Sequence, residues 1–112
     1  MKKKAIIISI KGIKLSQVEK KLFSRNKPWG VILFKRNLRS ISQIKKLTSE
    51  IKKLSGSKKF PILIDEEGGS VSRLTNIINH DLSANKFGKM FKKNKAFCLK
   101  IYKHYIFSLS KI

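Results

Sequence analysis

The chain has 112 residues, 41% of them hydrophobic, which is enough for one packed domain and argues against a disordered tail. Lys and Arg number 27 against 6 Asp and Glu, a formal charge of +21, so nucleic acid and anionic membrane have to be weighed as partners. Only four of the basic residues are arginine, and lysine plus isoleucine make up 39 of the 112 residues, a bias that fits AT-rich coding DNA better than a phosphate-reading surface of arginine forks.

Ala5 to Ile10 is an unbroken run of small or β-branched residues ended by Lys11 and Gly12, and predicts a strand buried on both faces, as in a parallel sheet. The same stretch is short for a signal peptide and too short to span a bilayer, so a cytoplasmic protein with no membrane partner is expected. Ser16 and Glu19 have capping-box spacing and open a helix with Leu15, Val18 and Leu22 as apolar contacts, ending near Asn26, Lys27 and Pro28. Trp29 and Gly30 lead into a second apolar run, Val31 to Phe34. Ser40 and Gln43 repeat the capping-box spacing before the clearest helix, in which Ile41, Ile44, Leu47, Ile51 and Leu54 recur every three or four residues until Gly56. A third strand runs from Phe60 through Ile62, Leu63 and Ile64 to Asp65. From Ser83 one further helix is expected to the chain end, with Phe87, Phe91, Cys98, Tyr102 and Ile106 at helical spacing. Cys98 is the only cysteine, a core thiol by position, so no intramolecular disulfide forms, and no spaced Cys or His set suggests a metal.

Strand, helix, strand, helix, strand with short connections predicts α/β architecture built from parallel βαβ units. Three parallel strands and a terminal helix leave a sheet edge whose backbone groups have no partner, whereas a closed barrel of alternating strands and helices takes about 250 residues.

Three of the six acids stand in a row at Asp65, Glu66 and Glu67, ahead of Gly68 and Gly69 and at the carboxyl end of the third strand, where parallel α/β folds bind ligands. A loop returning past that strand end can set Arg73 beside Asp65. A carboxylate and a guanidinium facing a cleft bracket the hydroxyls of a sugar, one accepting hydrogen bonds and the other donating them from a fixed fork. Equally, Asp65 can cap a turn and Arg73 can make a surface ion pair worth little, and spacing alone leaves both readings open. A divalent cation on the adjacent acids would need further oxygen ligands, so no metal is expected. The two histidines, His80 in an expected loop beside Asp81 and His104 among lysines on the last helix, lack the setting of a catalytic acid.

Gly30-Val-Ile-Leu-Phe-Lys-Arg-Asn37 resembles the G-x-I-L-F-x-R-N segment of glycoside hydrolase family 3 β-N-acetylhexosaminidases. Ile64-Asp-Glu-Glu-Gly-Gly-Ser-Val-Ser-Arg-Leu74 resembles their D-Q-E-G-G-R-V-Q-R segment, in the same order and at a fitting separation. In weaker form the resemblance extends from Ala5 to the chain end. It implies the amino-terminal part of a TIM-type (β/α)8 barrel, about three βα units plus a terminal helix, with residues 1–112 as one partial domain. It implies removal of terminal N-acetylglucosamine with retention, as in peptidoglycan recycling and carbohydrate metabolism, without a cofactor. Asp65 and Arg73 fall where the family holds the sugar of its terminal subsite, and Glu67, Gly68 and Gly69 match the letters that shape the loop. Glu66 stands for the usual Gln and Ser70 for the usual Arg, so the charge of the loop differs.

Retaining hydrolysis needs a carboxylate nucleophile and a proton donor. In the family these are a late aspartate and a histidine–aspartate pair on a middle loop, so the resemblance places both beyond residue 112 and no catalytic residue is expected here. Such a fragment is expected to be inactive alone, with an apolar edge suited to a complementing carboxyl-terminal fragment. The alternative is a non-enzymatic lysine-rich module that binds RNA or acidic surfaces with affinity falling steeply in salt. Phe23, Trp29, Phe34 and Phe60 are expected in the core instead of on a base-stacking surface, which makes nucleic acid the less favoured partner.

Overall fold

A computed structural model describes residues 3–78 and 80–112; Met1, Lys2 and Asn79 lie outside the described residues. The chain divides into two compact units, Met1–Asp65 and Glu66–Ile112.

The first unit runs β1 (Lys4–Ser9), α1 (Gln17–Arg25), β2 (Pro28–Leu33), a 3-10 turn (Lys35–Asn37), α2 (Ile41–Ser55) and β3 (Ile62–Ile64). The strands lie in the order β1-β2-β3 and both pairings are parallel, with Ile8 opposite Val31 and Ile32 opposite Leu63. This follows from the sequence order, because a strand that returns through a helix re-enters the sheet in the same direction. Phe23, Val31, Leu33, Ile44, Leu47, Ile51 and Phe60 are buried, and the rings of Phe23 and Phe60 meet edge to face with centroids 6.3 Å apart. Each such aliphatic or aromatic side chain contributes about 1.5–3 kcal/mol by leaving water.

Burial departs from expectation at several places, including Ile41 at the start of α2 and Phe91, Tyr102 and Ile106 near the chain end, all exposed. β1 is exposed along most of its length, Ile6 at 51% and Ile7 at 44%, and only Ile10 just beyond it is fully covered. Among the described residues β1 pairs with β2 alone and lies at the edge of the sheet. Val18 and Leu22 face solvent, and α1 turns Phe23 inward in their place. Trp29 is likewise exposed, forming a shallow apolar depression with Ala5, Ile6 and Ile7.

Ser16 and Glu19 form the full capping box, with the Glu19 N–H donating to Ser16 Oγ at 3.3 Å and the Ser16 N–H donating to Glu19 Oε2 at 2.7 Å. Glu19 also accepts from the Lys11 N–H at 2.8 Å, which ties the end of the β1 connection to the helix start. Burial by itself would raise the pKa of Glu19, but the backbone N–H groups of Ser16 and Lys11 and the Ser16 hydroxyl outweigh it and hold the carboxyl below its ordinary value. A depressed folded pKa means that this stabilisation is present above the ordinary value of 4.5 and is lost as pH falls through the lower folded value. Urea midpoints measured across that window should therefore decline with acid less steeply in Glu19→Gln than in the parent chain. Equal slopes would show that the carboxylate does not carry the linkage.

Ser40 caps α2 by accepting from the Gln43 N–H at 3.3 Å, but here the box does not close. The Gln43 side chain accepts from the Arg39 N–H at 2.9 Å and donates to the carbonyls of Ile13 at 2.6 Å and Asn37 at 3.1 Å. The oxygen that would close the box on the Ser40 N–H is taken by the Arg39 N–H, with the amide nitrogen held in place by the two loop carbonyls. Asn37 itself has no exposed surface. Its Oδ1 accepts from the Phe34 N–H at 2.9 Å, and its Nδ2 donates to the carbonyls of Ile10 at 3.1 Å and Gly12 at 2.8 Å. One side chain thus joins the segments that leave the carboxyl ends of β1 and β2.

The second unit opens with a loop and closes with α3 (Ala84–Lys93) and α4 (Lys95–Ser110). The single helix expected from residue 83 is therefore two. Asn94 divides them: its N–H closes α3 on the Met90 carbonyl at 2.9 Å, while its side chain accepts from the Phe97 N–H at 3.0 Å and starts α4. Phe87 meets Tyr102 edge to face at 5.3 Å, and Cys98 is buried with its thiol 3.5 Å from the Phe87 carbonyl. Among the described residues no helix is long and apolar enough to cross a membrane.

Candidate functional site

Asp65 is the last residue of the first unit, one step past β3, and is exposed. Glu66 begins the second unit and folds back into its own loop. Its Oε1 accepts from the Gly68 N–H at 3.1 Å, and its Oε2 accepts from the N–H groups of Arg73 at 2.8 Å and Leu74 at 3.1 Å. Three backbone donors on one carboxylate make a small closed ring of main chain. Glu67 is exposed, so the side chain that ties this loop is Glu66. Nothing in residue spacing marks that role, because it depends on residues 73 and 74 returning to residue 66.

The return is made by glycine. Gly68 and Gly69 have φ of 74° and 60°, the left-handed region in which a side chain is strained. A Cβ on Gly68 would overlap the Leu82 carbonyl oxygen, and one on Gly69 would sit 2.9 Å from the Ser83 Cβ. The loop needs both the backbone angles and the empty space. The Gly68 carbonyl then accepts from the Val71 N–H at 3.3 Å, and Leu74 is buried as the loop's hydrophobic anchor. Arg73 is carried half-buried between Ser72 and Leu74.

His80 lies behind Glu66, with Nε2 3.9 Å from the carboxylate and both side chains almost fully buried. The Leu82 N–H donates to His80 Nδ1 at 3.2 Å, and Tyr105 Oη is 3.0 Å from Nε2. Burial holds the Tyr105 phenol above its ordinary range, and the charge of Glu66 and the neighbouring Tyr102 push it the same way. His104 is exposed on α4. Among the described residues no three His, Cys, Asp or Glu side chains converge as a metal site would require.

No family model matches the chain. It is 31% identical over 91 residues to the β-hexosaminidase of Thioalkalivibrio sulfidiphilus and 34% identical over 91 residues to that of Neisseria meningitidis serogroup A, in each case 81% of this chain. In structure it superposes on NagZ from Neisseria gonorrhoeae, solved in complex with N-trifluoroacetyl-D-glucosamine, with a TM-score of 0.66 and 33% identity over 82% of this chain. The chain is homologous to part of a β-hexosaminidase. A glycoside hydrolase family 3 β-N-acetylglucosaminidase from Paenibacillus also superposes, with a TM-score of 0.57, 33% identity and 62% of this chain covered.

The β-hexosaminidase homology is partial on the other side. The chain spans 26% and 25% of the two relatives' lengths, 27% of the NagZ chain and 14% of the Paenibacillus enzyme. A matched stretch of 91 residues in a chain of 112 includes residues 22–91 wherever it begins. Both the 30–37 segment and the Asp65–Arg73 loop therefore fall inside it. The α/β class and the parallel strand order belong to this same β-hexosaminidase homology.

Proposed function

We propose that this chain supplies the sugar-holding part of a retaining β-N-acetylhexosaminidase acting on terminal N-acetylglucosamine, in peptidoglycan recycling. The observation that carries the reading is the homology to β-hexosaminidases over a stretch that must contain residues 64–74. Asp65 would accept hydrogen bonds from the sugar hydroxyls and Arg73 would donate to them, the complementary pair that a polyhydroxylated ligand requires. Glu67, Gly68 and Gly69 would complete the loop. The nucleophile and the proton donor would come from further strand–helix units, making this chain inactive alone.

A complementing carboxyl-terminal fragment is the proposed protein partner. The exposed apolar residues Ile6, Ile7 and Trp29 support it, since parallel sheets bury both faces and close their edges. The cytoplasm is the proposed compartment, in keeping with a buried free thiol at Cys98. The lysine-rich RNA-binding reading loses its aromatic platform at Phe23 and Phe60, both buried.

Titration of the chain with N-acetylglucosamine, followed by NMR, is expected to shift the resonances of Asp65 and Arg73, and Asp65→Ala should weaken binding about tenfold or more. A chromogenic N-acetylglucosaminide should not be turned over. Clear turnover abolished by Asp65→Ala would show that the reacting groups are in this chain after all.

A further inference from the structure

The Glu66 carboxylate uses both oxygens, Oε1 for Gly68 and Oε2 for Arg73 and Leu74. A glutamine offers one acceptor oxygen and could not serve both directions. The carboxylate is also nearly buried, 6% exposed, and a buried charge is costly unless hydrogen-bonded or paired. His80 is the group that faces it from behind, itself 7% exposed. Because the Leu82 N–H donates to Nδ1, that nitrogen is an acceptor, and the neutral ring carries its hydrogen on Nε2. Nε2–H is directed at Tyr105 Oη, 3.0 Å away, and the Glu66 carboxylate lies 3.9 Å from the same nitrogen, beyond hydrogen-bond distance, so in this buried setting His80 acts on it by charge–dipole attraction. Tyr105 is fixed in turn by ring contacts to His80 at 4.7 Å and Phe87 at 6.3 Å. A line of polar groups thus runs from α4 to the loop, wholly inside the second unit.

We propose that His80 and Tyr105 are positioning residues for the sugar-holding loop, orienting the Glu66 carboxylate so that it gathers the Gly68, Arg73 and Leu74 N–H groups and fixes the backbone that presents Arg73. The proposal rests on the reading of Arg73 as a sugar contact. Neither residue touches the sugar; each acts through Glu66.

The test uses the full chain and two NMR readouts, amide hydrogen exchange and titration with N-acetylglucosamine. Tyr105→Phe keeps the ring and removes only the hydroxyl. It is expected to lower protection of the Arg73 and Leu74 amides about tenfold and to weaken sugar binding severalfold, while amides in α3 and α4 keep their protection. His80→Ala should do the same, and His80→Gln, which restores a donor and an acceptor, should recover part of both effects. Unchanged Arg73 and Leu74 amides in Tyr105→Phe and His80→Ala would overturn the proposal. So would an equal loss of protection across residues 66–112, which marks a purely structural role. If the parent chain fails to bind N-acetylglucosamine, the reading of Arg73 falls, while the amide exchange still decides whether His80 and Tyr105 fix the loop.

Discussion

Asn37→Leu is expected to destabilise the first unit by about 3 kcal/mol. Leucine keeps the branched shape, so the loss is of hydrogen bonds with little change in packing. The Phe34 N–H and the Gly12 carbonyl lose the partners they have at 2.9 Å and 2.8 Å. The Ile10 carbonyl keeps a donor in Arg36 Nε at 3.2 Å, which limits the damage to two orphaned groups. An unsatisfied buried donor or acceptor costs about 1–3 kcal/mol, less where water can reach it. Urea unfolding followed by fluorescence of Trp29, the single tryptophan, reads the first unit directly because Trp29 lies on β2. A loss below about 1 kcal/mol would mean that water replaces Asn37 at little cost.

Gly68→Ala is the second large effect, and it is local to the loop. A left-handed backbone costs alanine about 1–2 kcal/mol, and the overlap with the Leu82 carbonyl forces the main chain to move as well. The ring of N–H groups around Glu66 cannot survive that movement. Protection of the Arg73 and Leu74 amides should disappear, and the proposed N-acetylglucosamine binding should go with it. Gly88 provides the control, being a helical glycine of α3 with nothing near its absent Cβ. Gly88→Ala should stabilise the chain by about 0.5–1 kcal/mol. If Gly68→Ala leaves the two amides as protected as Gly88→Ala does, the loop is not held in the way described.

What the sequence discloses follows how local each interaction is. The box at Ser16 and Glu19 spans three residues and forms as spacing predicts. The pattern at Ser40 and Gln43 has the same spacing, yet the Gln43 oxygen goes to the Arg39 N–H while its amide nitrogen is held by the carbonyls of Ile13 and Asn37, one of them thirty positions away. The strands are legible as apolar runs, because parallel pairing follows from their alternation with helices. The exposure of β1 is not legible, because burial depends on what lies beside a strand, and that is not written in the strand. The break at Asn94 did carry a local signal, a helix-capping residue type, but the stripe of Phe91, Cys98 and Tyr102 runs through it and masks it.

At the loop the division is sharper. Asp65 and Arg73 stand out by charge, and the glycine pair by type. Glu66 has no such mark, since its partners at residues 73, 74 and 80 meet it only after Gly68 and Gly69 have turned the chain. The segment 30–37 teaches a related lesson. Asn37, as fully buried in it as Val31, is a latch between strand ends, so a motif shared with an enzyme family need not be a motif that touches substrate.

The outer edge of β1 gives the lysines a meaning that no ligand requires. A strand that, among the described residues, pairs on one side only and carries exposed isoleucines on its faces is a template for joining another copy of itself. A charge of +21 on a chain this small opposes that approach at long range. Salt shortens the reach of the repulsion to about 8–10 Å at physiological strength, and polyanions cancel it outright. The colloidal behaviour of the chain is thus set by a contest between open strand edges and a diffuse cationic shell, with ionic strength deciding which prevails.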